Sequence, residues 1–259
     1  MIAASPVPKR ITTGDRVVIE FMEKRQKIIA ARKEQRKYQI NPYRPAWKVI
    51  ENGAWKDERC FIIGGGPSLT GFDFERLRDK GKIIAVNKAF YDCMFADICY
   101  FMDSSSTTFY GLVKNGRLGP DYKKAWGEFK GLKIHCNRMG RKLEDTYSIR
   151  HLEQYGVSRS LKQGMLFTNN SGAGALHLAI MLKANPIFLL GIDGKFTKGK
   201  SHYHEGYPSK HSESLYKSFV KEFEFIGRAI YKSRYKIYNL NPNSAVRCFP
   251  FKKIDEVLA

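Results

Sequence analysis

Hydrophobic residues along this chain fall into short runs separated by longer stretches of mixed polarity. The runs Arg59–Ile63, Lys82–Val86, Ile98–Met102, Leu132–Cys136, Pro186–Leu190 and Tyr235–Tyr238 have the length and the branched or aromatic content of buried strands. Between them, Asp73–Lys80, Ser105–Lys114, Gly172–Lys183 and Glu213–Lys232 read as helices. Short apolar strands alternating with helices predict an α/β, Rossmann-like fold. Its sheet is mostly parallel, with helices on both faces. The pattern occupies residues 51–259, one nucleotide-binding catalytic domain. Residues 1–50 break it. From Asp15 to Tyr38 no proline intervenes, and Val18, Phe21, Met22, Ile28 and Ile29 make a loose apolar stripe. This predicts a basic N-terminal helical arm, ended by the linker Asn41-Pro-Tyr-Arg-Pro45.

Charge sharpens the picture. The chain carries 45 Lys and Arg against 25 Asp and Glu, a formal +20. Such a surface attracts polyanions: nucleic acid, anionic glycan or acidic lipid. No apolar run approaches the roughly 20 residues needed to span a bilayer, and the first residues lack the apolar stretch of a signal peptide. Cys60, Cys93, Cys99, Cys136 and Cys248 are scattered without CxxC pairing. That spacing suits a reducing, cytoplasmic setting better than a disulfide frame or a zinc site.

The candidate chemistry starts where the first strand ends. Gly64, Gly65 and Gly66 allow a tight turn with bare N–H groups, Pro67 fixes its own φ, and Ser68 adds a hydroxyl. A glycine loop between strand and helix is a way to hold phosphate, so a nucleotide or nucleotide-sugar is expected. Leu69 replaces the last glycine of a dinucleotide fingerprint, and no lysine follows as in a Walker A loop, so NAD binding and P-loop chemistry are disfavoured. Polar residues follow other strands too: Asn87, Asp103 with Ser104, Asn137 with Arg138, Asp193, and Asn241 with Asn243. In this fold class those positions share one rim. Ser171 and Gly172 open the most apolar helix, where free amides suit a phosphate or a base edge, while His177 within it reads as a core histidine. The stretch from Lys195 to Ser212 holds His202, His204 and His211 among glycine, proline and lysine, a mobile lid with candidate general bases. A metal at His202-x-His204 ranks last, since no third ligand follows in sequence.

IIGGGPSL, VNKAF, SGAGALHLAIMLKANPIFLLGID, SHYHEG and YNLNPNSAVRCFPF, in that order over residues 59–251, resemble bacterial CMP-sialic-acid-dependent sialyltransferases of the lipooligosaccharide type. They also resemble a related group of 6-hydroxymethylpterin diphosphokinase-like and phage proteins. The resemblance implies a glycosyltransferase with a nucleotide-sugar donor as co-substrate and no required cofactor. It places the nucleotide on Gly64–Ser68, Asn87, Ser171, Gly172 and Asp193, and on the late turn of Asn241, Pro242, Asn243 and Ser244. It makes a histidine of this loop the base, with His202 the candidate and His204 and His211 close behind. Two positions depart from the family: Gly65 stands for the usual Asn, and Gly194 and Lys195 stand where tyrosines steady the leaving phosphate. Lys195 is then the candidate to neutralise that phosphate. With the basic charge, the implied acceptor is a polyanion, either DNA modified by a phage enzyme or an anionic glycan. The alternatives are a diphosphokinase using ATP and magnesium, with Asp103 and Asp193 as metal-side acids, and a non-catalytic nucleic-acid-binding or virion-associated protein.

Overall fold

In the computed structural model, residues 44–259 are described except 103, 138–142, 153, 155, 167, 206 and 208–211. The predicted arm, Asp103, Arg138 and His211 lie outside the described residues. Seven strands form one sheet: β1 (Cys60–Ile63), β2 (Lys82–Val86), β3 (Ile98–Phe101), β4 (Leu132–Asn137), β5 (Tyr147–Arg150), β6 (Ile187–Leu190) and β7 (Ile237–Asn239). Their order is β5-β4-β3-β2-β1-β6-β7, and every neighbouring pair is parallel. Among the described residues the α-helices are α1 (Phe109–Lys114), α2 (Pro120–Glu128), α3 (Ser171–Met181), α4 (Glu213–Ala229) and α5 (Ile254–Leu258).

Strand periodicity divides the core in two. Cys60 and Ile62 of β1 point into a layer with α3 and the Phe223 and Ile226 side of α4. Phe61 and Ile63 point the other way, to α1, α2 and Val257 of α5. All four β1 side chains are buried, as a strand sandwiched between two helical layers requires. In the second layer Phe90, just after β2, meets Phe109, Tyr122, Trp126 and Phe129 edge-on at 5.4–6.3 Å between ring centres. Those contacts seat α1 and α2 on the sheet.

Where the elements differ from the sequence reading, the reasons are local. β5 is a half-buried edge strand of mixed polarity, Tyr-Ser-Ile-Arg, without the apolar run that marks its neighbours. The α2 segment is lysine-rich and buries only Ala125 and Trp126. Asp73–Lys80 yields only a single 3-10 turn, Phe74–Leu77, because the chain becomes extended at Arg78 and turns back through positive φ at Asp79 and Gly81. Residues 44–50 are held on the body by a Pro45–Ser148 bridge and a buried Ala46.

The strand order fixes where a ligand can sit. From β1 the chain steps to β2 on one side, and it later returns to β6 on the other. The crevice beyond the carboxyl ends of β1 and β6 is therefore the topological switch point.

Candidate functional site

A cavity of about 340 Å³ opens at that switch point, within the range of small-molecule sites. Gly64, Gly65 and Gly66 after β1 line it, as do Asn87 after β2, Gly191–Lys195 after β6, and Asn169–Gly172 at the start of α3. Ser201 and His202 close one side, and Leu215, Tyr216, Phe219 and Phe223 of α4 form an apolar wall. Residues from six separate stretches of sequence thus meet in one place.

The glycine triplet behaves differently from a bare phosphate cradle. The Gly64 amide donates to the Leu190 carbonyl and the Gly66 amide to Gly191, each at 2.8 Å. Two of the three N–H groups are thereby taken up by the last residue of β6 and the residue after it. A Cβ on Gly64 would lie 2.5 Å from the Gly191 carbonyl oxygen, and one on Gly66 would lie 2.5 Å from Asp193 Cγ. Close approach of two chains explains these glycines. A Cβ on Gly65 would meet side chains instead, His202 Cδ2 at 2.9 Å and His204 Nε2 at 3.2 Å.

Asp193 is buried and fastens this junction. Its carboxylate accepts the Ser68 amide at 2.8 Å, the Ser68 hydroxyl at 2.6 Å and the Asn241 side-chain amide at 2.8 Å. Ser244, fully buried, donates to the Ile192 carbonyl at 2.6 Å. Ser68, Asp193, Asn241 and Ser244 are therefore used on one another and on backbone. Of these only Asp193 borders the cavity. Pro67 is buried and Asn243 exposed, both off its lining.

Anion-attracting groups come from elsewhere. Asn170 caps α3, its side chain accepting the Ala173 amide at 2.8 Å. The Ser171 and Gly172 N–H groups at the cavity have no intrahelical partner, at the positive end of an eleven-residue helix. Lys195 is exposed at the rim. Asn87 adopts φ +53°, and its buried Oδ1 has no partner. A buried carbonyl left unsatisfied favours a ligand donor there.

The histidine segment, read in sequence as a mobile lid, is tied down over residues 201–205. The Tyr203 amide donates to the Gly65 carbonyl at 3.0 Å, and the Tyr203 hydroxyl donates to Asp92 at 2.7 Å. The Tyr216 hydroxyl donates to the Ser201 carbonyl at 2.9 Å, and the buried Lys88 ammonium donates to the Glu205 carbonyl. His202 lines the cavity, with Nδ1 at 2.9 Å from Ser201 Oγ. His204 stacks behind it, ring centres 5.1 Å apart. Burial, then the Lys88 ammonium and then His202, push His204 down to about 3, so its ring is neutral at physiological pH. Burial also pushes Tyr216 up to about 12, with Asp193 adding to it.

No protein-family profile and no curated protein matches this chain. Among solved structures it is similar to the sialyltransferase CstII from Campylobacter jejuni in complex with a substrate analogue, cytidine-5'-monophosphate. The identity is 19%, over 76% of this chain and 85% of that one, with a TM-score of 0.44. A second structure, of CST-II with a trisaccharide acceptor and CMP, aligns at 20% identity over 74% and 85%, with a TM-score of 0.42. The MAf glycosyltransferase from Magnetospirillum magneticum AMB-1 aligns at 13% identity over 83% of this chain but 36% of that one, with a TM-score of 0.47.

Of the sequence candidates, the cavity gathers Gly64, Gly65, Gly66, Asn87, Ser171, Gly172, Asp193, Lys195 and His202. Among the described residues no group of three or more His, Cys, Asp and Glu is placed to hold a metal ion. No described helix is long and apolar enough to cross a membrane. Sequence reasoning missed Glu222 and Lys88. Buried Glu222 accepts from the Thr168 hydroxyl at 2.8 Å and the Asn169 amide at 2.7 Å, holding the entry to α3 in place. Its signal was legible: a carboxylate on the Phe219-Phe223-Ile226 stripe must have partners. Lys88 left no such signal, because nothing in VNKAF says that the ammonium turns inward.

Proposed function

We propose that this chain is a glycosyltransferase, moving a sugar from a pyrimidine-nucleotide donor to a hydroxyl acceptor. The observation that carries the reading is the convergence, at the switch point, of an unpaired helix N-terminus, a rim lysine, an unsatisfied asparagine carbonyl and a histidine. The Ser171 and Gly172 amides and Lys195 take the donor phosphate, and Asn87 Oδ1 accepts from the base or ribose. His202, whose Nδ1 lies 2.9 Å from Ser201 Oγ, receives the acceptor hydroxyl proton as the general base. The acceptor oxygen then bonds to the anomeric carbon as the bond from that carbon to the phosphate oxygen breaks. The departing charge settles on the nucleotide phosphate beside Lys195 and α3. No metal is needed for this scheme. The +20 charge supports a polyanionic acceptor, DNA or an anionic glycan.

The test is a thermal-shift screen against CMP, CDP, UDP, GDP and ATP, with and without magnesium. A shift with a pyrimidine nucleotide alone supports the proposal and gives the donor class. A shift confined to ATP with magnesium replaces it with phosphoryl transfer, and no shift at all points to a non-catalytic protein. Under the proposal His202→Ala keeps the nucleotide shift and loses transfer.

A further inference from the structure

A second feature lies at the opposite end of the sheet and does not depend on how the cavity is read. α4 starts at the cavity, with Leu215 and Tyr216 in its wall, and runs away from it. Thirteen residues on, at about 1.5 Å each, Arg228 lies roughly 20 Å from Leu215. There the chain forms two neighbouring hollows. One, of about 410 Å³, is lined by Lys56, Arg159, Lys183, Lys232 and Arg234. The other, of about 550 Å³, holds Arg228 and Arg247 with Glu224. Tyr231 borders the second and is next in sequence to Lys232 of the first. It is 84% exposed, while the other exposed large hydrophobic side chains among the described residues reach at most 42%.

The first hollow has more positive charge than its own structure uses. Arg234 pairs with Asp57 at 2.6 Å. α3 and α4 both end beside it, and two helix C-termini supply roughly one negative charge together. Five cations less those two charges leave roughly +3 around one concave surface. The surface is also held in shape. The Tyr235 hydroxyl donates to the Ile180 carbonyl at 2.9 Å, and Arg234 lies over the Tyr235 ring. Asn52 binds both the Arg159 carbonyl and the Leu161 amide, fixing the Arg159 segment.

Cations alone would take any polyanion. A tyrosine ring standing almost wholly in water beside them adds a flat face on which a nucleobase stacks. We propose that this face docks single-stranded nucleic acid, with phosphates in the five-cation hollow and a base stacked on Tyr231.

The test is fluorescence anisotropy of the full chain with a labelled oligothymidylate. About three uncompensated charges predict that affinity falls about 20-fold between about 50 and 200 mM salt. Lys56→Glu with Lys232→Glu should weaken binding at least about tenfold and flatten the log–log salt slope by about 1.4. Tyr231→Ala, at an exposed position that leaves folding intact, should weaken it about fivefold or more. No binding at the lower salt overturns the proposal. So does wild-type affinity in both variants, which would place binding elsewhere on the chain. Loss on charge reversal with no effect of Tyr231→Ala also overturns it, in favour of a polyanion without bases.

Discussion

Gly65→Ala and Gly66→Ala are expected to fail in different ways. In Gly66→Ala the new Cβ lies 2.5 Å from Asp193 Cγ and 2.6 Å from the Gly191 carbonyl oxygen, where an ordinary contact is 3.4–4 Å. Both neighbours are buried, so backbone must move by about 1 Å. Overpacking costs about 1–3 kcal/mol. Displacing Asp193 loosens its two bonds to Ser68, about 1–3 kcal/mol more. The sum, about 2–6 kcal/mol, is a large part of a typical stability of about 5–15 kcal/mol. Gly65→Ala meets only His202 Cδ2 at 2.9 Å and His204 Nε2 at 3.2 Å, and its backbone lies outside the left-handed region. Two rings tilt by about half an ångström, and the loss of unfolded-state freedom returns about 0.4–1 kcal/mol. Stability should stay within about 1 kcal/mol of wild type. Catalytic geometry is less forgiving, since a 1 Å misplacement can cost about 100-fold. Turnover should therefore drop about tenfold or more while nucleotide binding persists. Urea denaturation, nucleotide thermal shift and a transfer assay on the pair decide it. If Gly65→Ala unfolds as readily as Gly66→Ala, or if Gly66→Ala melts like wild type, the assignment of these glycines is wrong.

Two core histidines should make the fold acid-sensitive. Burial pushes both His135 and His177 down to about 4, so above about 6.5 neither costs anything. As pH falls from there towards 4, the unfolded chain takes up protons that the folded chain refuses, and stability is lost. At pH near 4.5 the loss is about 3 kcal/mol for each. Urea midpoints measured between pH 7.5 and 4.5 should fall accordingly, and a flat profile refutes it. Lys88→Met removes the donor to the Glu205 carbonyl and a positive charge that holds His204 down. Amide exchange over 201–205 should quicken and the His204 ring titrate nearer to neutrality by NMR. Unchanged exchange and titration would mean that Lys88 does not hold the strap.

The sheet was legible because β1, β2, β3 and β6 each carry a four-residue apolar run buried on both sides, which periodicity registers directly. β5 and α2 were not, because an edge strand and a lysine-rich helix bury too little to leave a pattern. The rim was legible for the same topological reason: in a parallel sheet, residues following strands must converge, and Asn87 and Asp193 do. What those residues do there was less legible. Ser68 and Asn241 are attractive as ligand contacts in sequence, yet both are bound to Asp193. Hydrogen-bond partners 125 and 48 residues apart leave no mark in local sequence.

That redistribution alters where a phosphate would be held. A loop that spends its Gly64 and Gly66 amides on the Leu190 and Gly191 carbonyls cannot also wrap an anion with them. It instead fixes the distance between β1 and β6, and so the width of the crevice. The task of facing negative charge then falls to the start of α3, whose position depends on Asn170 inside the helix cap and on Glu222 outside it. Glu222 brings a carboxylate close to the place proposed for an anion, which would oppose binding if it faced the cavity. It does not line the cavity, and its Oε2 accepts the Asn169 and Asn170 amides. Its charge is thus spent on the turn that leads into α3, while the Ser171 and Gly172 amides remain for the ligand. Positive field at this site is made by a helix end whose supports lie on α4, which is why the chemistry at β1 cannot be read from the glycines alone.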